Sequence, residues 1–589
     1  MHWWNAIWRL RPAFSRLRTF LWFATAVAGF TVRTELLGVT SIVRALKLDT
    51  RCYNTLLDCF HSSAVKLDRL TKLWSQVVLR LFPQPLRVNG RCVLVGDGIK
   101  VPKCGRKMPA VKLLHQQSAS NSKPEYIMGH SLQAVSLLVQ AAASFFAVPL
   151  AVRIHEGVVW SNRDRRTLLD KMLALLGIAA VEQPFYFVAD AYYAAHKIVV
   201  GLLKQDNHLL TRMKSNAVAY TAYQQRGPRK RGRPRVYGRK IKLSSLLQAS
   251  RDFQQAPSPV YGEHKVIIQY RVRDLLWRPA GRLVRFVAVI HPVRGACLLM
   301  CTDTSLDAFD IIRLYGLRFK IEHTFKQAVR QIGAFAYHFW MSDMKPLRRN
   351  NGNQHLHRES LEYRNAIKRK IHAYHVFIQA GVVCQGLLQY LAVAFPQLVW
   401  TSFGSWLRTI RPGIPPSELV VATALRQSLP EFLLNAPLTN IFAKFVMERQ
   451  DVRKMEPFRQ GNRISKLSQH PSQKAIAPGG PPELFLQRAF GGFGTDQVER
   501  HVPQDGEVVR AVVHAVPRLI FVHGDVETPV QAILDGPMRT DDLTEPPGDE
   551  RLAEQIVGAF GGRLIGGLAD TDNLADRSQT WPAMVLLQP

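Results

Sequence analysis

Apolar positions recur every three or four residues through Ser63-Ala-Val-Lys-Leu-Asp-Arg-Leu-Thr-Lys-Leu-Trp74, the spacing of one helix face, and residues 1–88 follow this pattern throughout. The pattern then changes. Across 89–214, short β-branched runs at 92–95, 135–139 and 185–188 alternate with a helix-like stretch at 163–176, which predicts α/β structure. Residues 215–305 hold a basic loop and two strand-like runs, 283–290 and 296–301, around His291-Pro-Val-Arg-Gly295, and read as a β-hairpin insertion. From Ala308 the helical period returns and continues to about Glu448. The predicted blocks are a helical module at 1–88, an α/β core in two parts at 89–214 and 306–395 that is split by a basic loop and β-rich insertion at 215–305, a helical region at 396–460, and a linker with tail at 461–589.

Three stretches lack charge. The first, 19–32, follows Arg9, Arg11, Arg16 and Arg18 and ends near Ala26-Val27-Ala28, so it imitates a secretory signal. A buried helix is the better reading, because the chain before it is strongly basic and the chain after it is polar and poor in cysteine. The second, 131–152, is broken by Gln133, Gln140 and Pro149 and predicts two buried strands around a turn. The third, 376–400, carries Gln379, Gln385 and Gln389 before Pro396, and reads as a buried helix rather than a membrane span.

Charge adds a boundary that hydrophobicity does not mark. The 589 residues contain 78 Lys and Arg against 44 Asp and Glu, a net +34, which points to a polyanionic partner: nucleic acid first, anionic membrane second. From Pro471 onward the balance reverses to nine basic against 17 acidic residues, after a polar stretch that ends in Pro478-Gly-Gly-Pro-Pro482. The tail therefore reads as an appended acidic segment of unassigned role. Seven thinly spread cysteines, with no CxxC pair, fit a reducing compartment and a cytoplasmic location. Cys297 and Cys301 with His291 lack the second ligand pair that a zinc site needs.

Three acids stand out by context. Asp97 lies between glycines within the apolar run Val93-Leu-Val-Gly-Asp-Gly-Ile-Lys-Val101, where a buried carboxylate needs a cation, donors or solvent; alone it also reads as a turn Asp. Asp190 closes the apolar run Phe185-Tyr-Phe-Val-Ala-Asp190 before a helix-like stretch, and alone it reads as an N-cap. Glu322 shares a predicted helix face with Tyr315, Arg318, Lys326 and Val329. Its i,i+4 spacing to Arg318 and Lys326 is also that of an ordinary solvated face.

Taken together, an acid in a first strand, an acid ending a later strand and an acid on a helix beyond an insertion resemble the DDE transposases of bacterial insertion sequences. Tyr315, Arg318 and Glu322 match the Tyr-x2-Arg-x3-Glu part of one group's signature. The signature's final lysine falls on Val329 instead, with Lys326 and Arg330 nearby. The resemblance spans roughly 90–395 and includes the run Gly105 to His115. It implies an α/β fold with a ribonuclease-H-like mixed-sheet catalytic core, interrupted by the β-rich insertion and flanked by helical N- and C-terminal regions. It also implies Asp97, Asp190 and Glu322 as catalytic, metal-binding residues holding Mg²⁺, with Mn²⁺ as a substitute. Tyr315, Arg318 and Lys326 become DNA contacts. The implied partners are double-stranded DNA (terminal inverted repeats and target) and a second copy of the chain in a synaptic complex, without membrane, in a bacterial, nucleoid-associated setting.

The densest basic run, Arg226 to Lys240, includes Arg229, Lys230, Arg231, Arg233 and Arg235, and its Arg231-Gly-Arg-Pro234 core resembles an AT-hook. Extended arginines of this kind hold DNA by displacing phosphate counterions. A nuclear address or a solvated loop is the alternative for this run. For the whole chain, the rivals to a transposase are a catalytically inactive DNA-binding relative and a membrane-associated basic protein.

Overall fold

In the computed structural model the described residues are 2–451 and 453, without 37, 83, 117–123, 143, 226–231, 233, 249–251, 406–407, 436–439 and 452. Contacts divide the chain into two units. Among the described residues the first holds 2–404 and 411–451, and the second holds 405, 408–410 and 453. Every described helix and strand belongs to the first.

Five helices open the chain: α1 (His2–Trp8), α2 (Leu17–Val32), α3 (Gly38–Ala45), α4 (Cys52–His61) and α5 (Leu67–Leu81). From Phe20 to Val32 every residue of α2 is buried, the arrangement expected of a helix that is apolar on all sides. These helices share one apolar core with the sheet and the long C-terminal helix.

The sheet begins with β1 (Arg87–Val88), β2 (Arg91–Pro102), β3 (Lys112–His115), β4 (Tyr126–Ala141) and β5 (Ser144–Ile154). The uncharged stretch at 131–152 is thus two buried antiparallel strands, as its broken pattern predicts. After the short β6 (Val158–Val159) come α6 (Leu168–Ala179), β7 (Phe185–Ala189), α7 (His196–Leu203) and β8 (His208–Arg212). α6 starts at 168 rather than 163 because Thr167 and Asp170 form a reciprocal capping box. Across the core the order is β5-β4-β2-β7-β8, with β4 antiparallel to its neighbours and β2, β7 and β8 parallel.

Next are β9 (Val218–Ala222), β10 (Tyr237–Lys242), β11 (Gln254–Pro257), β12 (Ile267–Trp277), β13 (Arg282–His291) and β14 (Gly295–Cys301). The expected hairpin is present as β13 and β14. β14 pairs antiparallel with β8, so these strands extend the core sheet.

α8 (Ala308–Leu317) and α9 (Lys320–Gln327) are followed by a single π turn, Ala328–Ile332. The expectation of continuous helix from Ala308 to Glu448 fails between this turn and Ser360, where the chain is irregular apart from β15 (Gln354–His355) and a short 3-10 turn at Leu356–Arg358. Gly333 ends the helical run with φ of 65°, and the buried Arg33 guanidinium donates to the carbonyls of Ile332 and Gly333 that a continuing helix would use.

The chain returns through α10 (Leu361–Ala394), α11 (Pro396–Phe403), α12 (Glu418–Asn435) and α13 (Ile441–Met447). Among the described residues, α10 is the one helix long and apolar enough to cross a membrane, and 83% of its apolar window is buried within the protein. Its glutamines are bonded internally. Gln379 accepts from Thr71 and Arg153 and donates to Leu150 O, Gln385 donates to Thr324 O, and Gln389 donates to Glu418.

Candidate active site

Asp97 lies on β2, and two residues earlier Val95 stands opposite Val188 on the parallel β7. The same register carries Asp190, just past the end of β7, level with Asp97. Carboxyl ends of adjacent parallel strands are where open α/β sheets commonly hold their ligands. Gly96 allows this approach: a Cβ there would overlap the Phe187 ring of β7. Asp190 caps the following 3-10 turn, accepting from Tyr192 N at 3.1 Å, and α7 begins only at His196. The helix expected directly after Asp190 is therefore split in two.

Glu322 is brought to the strands by α9, which packs against β2 and β5. Thr324 Oγ1 donates to Ala147 O of β5 at 2.7 Å, and Gln385 of α10 donates to Thr324 O at 3.0 Å, so both faces of α9 are tied. The single helix expected through Tyr315 and Glu322 is two, with Arg318 and Phe319 at a tight joint where Ile321 N donates to Arg318 O. Arg318 is not on a solvated face. It is 4% exposed, and its guanidinium donates to Asp97 Oδ2 at 2.6 Å and to Glu322 Oε1 at 2.7 Å.

Electrostatics at this cluster are dominated by crowded acids. Burial and then the neighbouring Asp97 charge push Asp190 up to about 6, against the opposing pull of Arg318. Burial likewise raises Glu322, again opposed by Arg318. About a quarter of the Glu322 side chain reaches solvent. For Arg318 burial works against the charge, but Glu322, Asp97, Tyr315 and Asp190 outweigh it and hold the guanidinium protonated above its ordinary range.

Among the described residues no three His, Cys, Asp or Glu side chains are already gathered in metal-holding positions. The donor set nevertheless fits a hard divalent cation. It offers carboxylate oxygens, open on one side, whose mutual repulsion is relieved by positive charge. Arg318 supplies that charge in this structure.

The remaining candidates are dispersed. Tyr315 is 2% exposed, and burial pushes its phenol up to about 12, so the phosphate contact implied for it is closed in this conformation. Lys326 is half-buried near the end of α9, and Val329, at the place of the signature lysine, is 42% exposed. Arg235 is exposed, donates to Tyr237 O at 2.9 Å and stands 5.3 Å from the centre of the Tyr223 ring. Arg229, Lys230, Arg231 and Arg233 lie outside the described residues.

Sequence reasoning missed Tyr193, a buried phenol three residues beyond Asp190 whose hydroxyl lies 3.4 Å from Gln133 Nε2. An aromatic one 3-10 turn after a strand-ending Asp was the available signal.

Residues 9–281 match the DDE superfamily endonuclease family. This span is a little under half of the chain; it contains Asp97 and Asp190 and ends before Glu322. The DDE match supports nuclease or transposase chemistry in general terms. No curated protein matches the chain. Among solved structures, the cryo-EM structure of a piggyBac transposase synaptic complex with hairpin DNA is 11% identical, covers 84% of this chain and 82% of that one, and gives a TM-score of 0.32. At that score the likeness carries no argument about this chain.

Proposed function

We propose that this chain is a DNA transposase of an insertion sequence, cutting and joining DNA with divalent metal ions held by Asp97, Asp190 and Glu322. One observation carries the reading: Arg318, 221 residues along the chain from Asp97, joins that acid of the first core strand to Glu322 on a helix, beside a third acid whose proton affinity is raised. The strand order, three antiparallel strands and then two helix-linked parallel ones, supports a ribonuclease-H-like core.

The donor chemistry favours Mg²⁺, with Mn²⁺ as a substitute, and such ions would activate the attacking oxygen and stabilise the leaving one at a phosphodiester. Asp97, midway along β2, and Asp190, just past the end of β7, would supply two of the carboxylates. Glu322 closes the site from α9. Water attacks first at the element's end, and the freed 3′-hydroxyl then attacks target DNA, with no covalent protein nucleophile.

The basic run containing Arg229, Lys230, Arg231, Arg233 and Arg235 falls between β9 and β10 in the sequence. The run would grip DNA by displacing phosphate counterions, and Lys326, on the helix of the third acid, would add a contact. Inverted repeats, target DNA and a second copy of the chain are the expected partners, in a bacterial cytoplasm on the nucleoid.

Labelled duplexes carrying the inverted repeats that flank the gene test this reading. Wild-type chain nicks them in Mg²⁺, whereas folded Asp97→Asn does so slower by about a thousandfold or more. Undiminished cleavage by Asp97→Asn would remove the assignment.

A further inference from the structure

Arg318 has a second consequence, which rests on Asp97, Asp190 and Glu322 being the metal-binding acids. Its two terminal nitrogens engage one oxygen of Asp97 and one of Glu322, and the guanidinium is buried between them. The other Asp97 oxygen accepts from Gly98 N at 2.7 Å. Oxygens that a divalent cation would use are therefore already taken by a cation belonging to the chain. A guanidinium fork satisfies two carboxylates at once and keeps them from springing apart, which water alone does poorly at this depth. Unlike a metal ion, it is tethered to the chain, at the joint between α8 and α9.

We propose that Arg318 is a built-in counter-cation that holds the acidic cleft together before metal arrives, competes with metal for the Asp97 and Glu322 oxygens, and is released toward DNA phosphate when metal takes its place. Arg318 is thus a positioning residue with two stations. In the first it pairs with acids. In the second it faces a bound polyanion, so metal and DNA reinforce one another's binding: metal frees the guanidinium that DNA uses, and DNA draws it off the oxygens that metal uses.

The test uses the full chain and Mn²⁺ alone, read by calorimetry and by the paramagnetic signal of free Mn²⁺, so that no DNA or turnover is involved. Folded Arg318→Gln is expected to bind Mn²⁺ about tenfold more tightly than wild type, because one competing charge-assisted fork is gone. Arg318→Lys, which keeps the charge but loses the fork, falls between the two. Where Arg318→Gln is too unstable for titration, its thermal midpoint rises more on adding Mn²⁺ than the wild-type midpoint does. Equal or weaker Mn²⁺ affinity in Arg318→Gln, or an equal or smaller midpoint rise, overturns the proposal.

Asp97→Asn separates this failure from failure of the proposed metal site. If Asp97→Asn abolishes Mn²⁺ binding while Arg318→Gln leaves affinity unchanged, the acids are the metal site and Arg318 does not compete for it. If Asp97→Asn combined with Arg318→Gln binds as tightly as Arg318→Gln alone, the metal lies elsewhere and both ideas fall.

Discussion

Among the described residues three arginines are buried, and the company they keep differs between the helical layer and the strand ends. Facing the helical layer, Arg33, just past α2, donates to Gly38 O, Ser41 Oγ, Ile332 O and Gly333 O, and Arg153, on β5, donates to Val152 O, Gln379 and Thr71, with the largely exposed Asp68 only at 3.5 Å. Burial lowers both to about 10. At the strand ends, Arg318 is outnumbered by acids and its proton affinity rises instead. Neutral acceptors suffice where an arginine serves as a staple. A surplus of carboxylates is costly to fold around, and an excess that one arginine cannot balance marks a place where further positive charge is expected.

The contrast predicts opposite consequences of removing the two kinds of arginine. Arg33→Met should cost about 3 kcal/mol of stability, because it leaves the carbonyls behind the π turn without donors, while Mn²⁺ binding per folded molecule stays unchanged. Denaturant titration with parallel Mn²⁺ titration checks this; a loss of metal affinity in the folded variant would erase the distinction between staple and site.

A smaller effect sharpens the strand-end side of the comparison. Gly96→Ala presses a methyl group into the Phe187 ring and should destabilise by about 1–3 kcal/mol, with recovery when Phe187→Leu is added. A double-mutant cycle by chemical denaturation measures the coupling. Additive effects would show that the close approach of β2 and β7 is not what places Asp97 beside Asp190.

Lys103 offers a pH-dependent test, as a buried cation held by carbonyls and a ring. Its ammonium donates to Phe335 O and to Tyr337 O and stands 3.8 Å from the Tyr337 ring centre, and burial lowers it to about 7. Because the folded value lies below the ordinary 10.5, the unfolded chain binds the extra proton between the two. Stability linked to Lys103 is therefore full above that range and is lost as pH falls toward 7. The stability difference between wild type and Lys103→Met should change across pH 7 to 10.5 and be flat below, by thermal melts at stepped pH.

Much of this arrangement was legible in the sequence because it is local. The runs ending at Asp190 and enclosing Asp97 read as strands, and the Tyr315-Arg318-Glu322 spacing singled out α9. What escaped depends on distant partners. Nothing near Arg318 in the chain indicates that Asp97 will meet it, so its face looked solvated. β12 was hidden by Arg271, Arg273 and Asp274, which are neutralised across strands and loops by Asp252 and Arg285. The end of helix after Ile332 depends on Gly333 together with an arginine 300 residues earlier.

Glu322 is the acid on which the reading turns most, since it lies beyond the span that matches the DDE superfamily endonucleases and reaches the strands only through α9. Single-turnover cleavage of inverted-repeat DNA in Mg²⁺ by wild type and by Glu322→Gln, with folding verified by circular dichroism, tests it most directly. Loss of cleavage by about a thousandfold in a folded chain is the expected result. Wild-type cleavage rates in Glu322→Gln would contradict a catalytic site built from Asp97, Asp190 and Glu322.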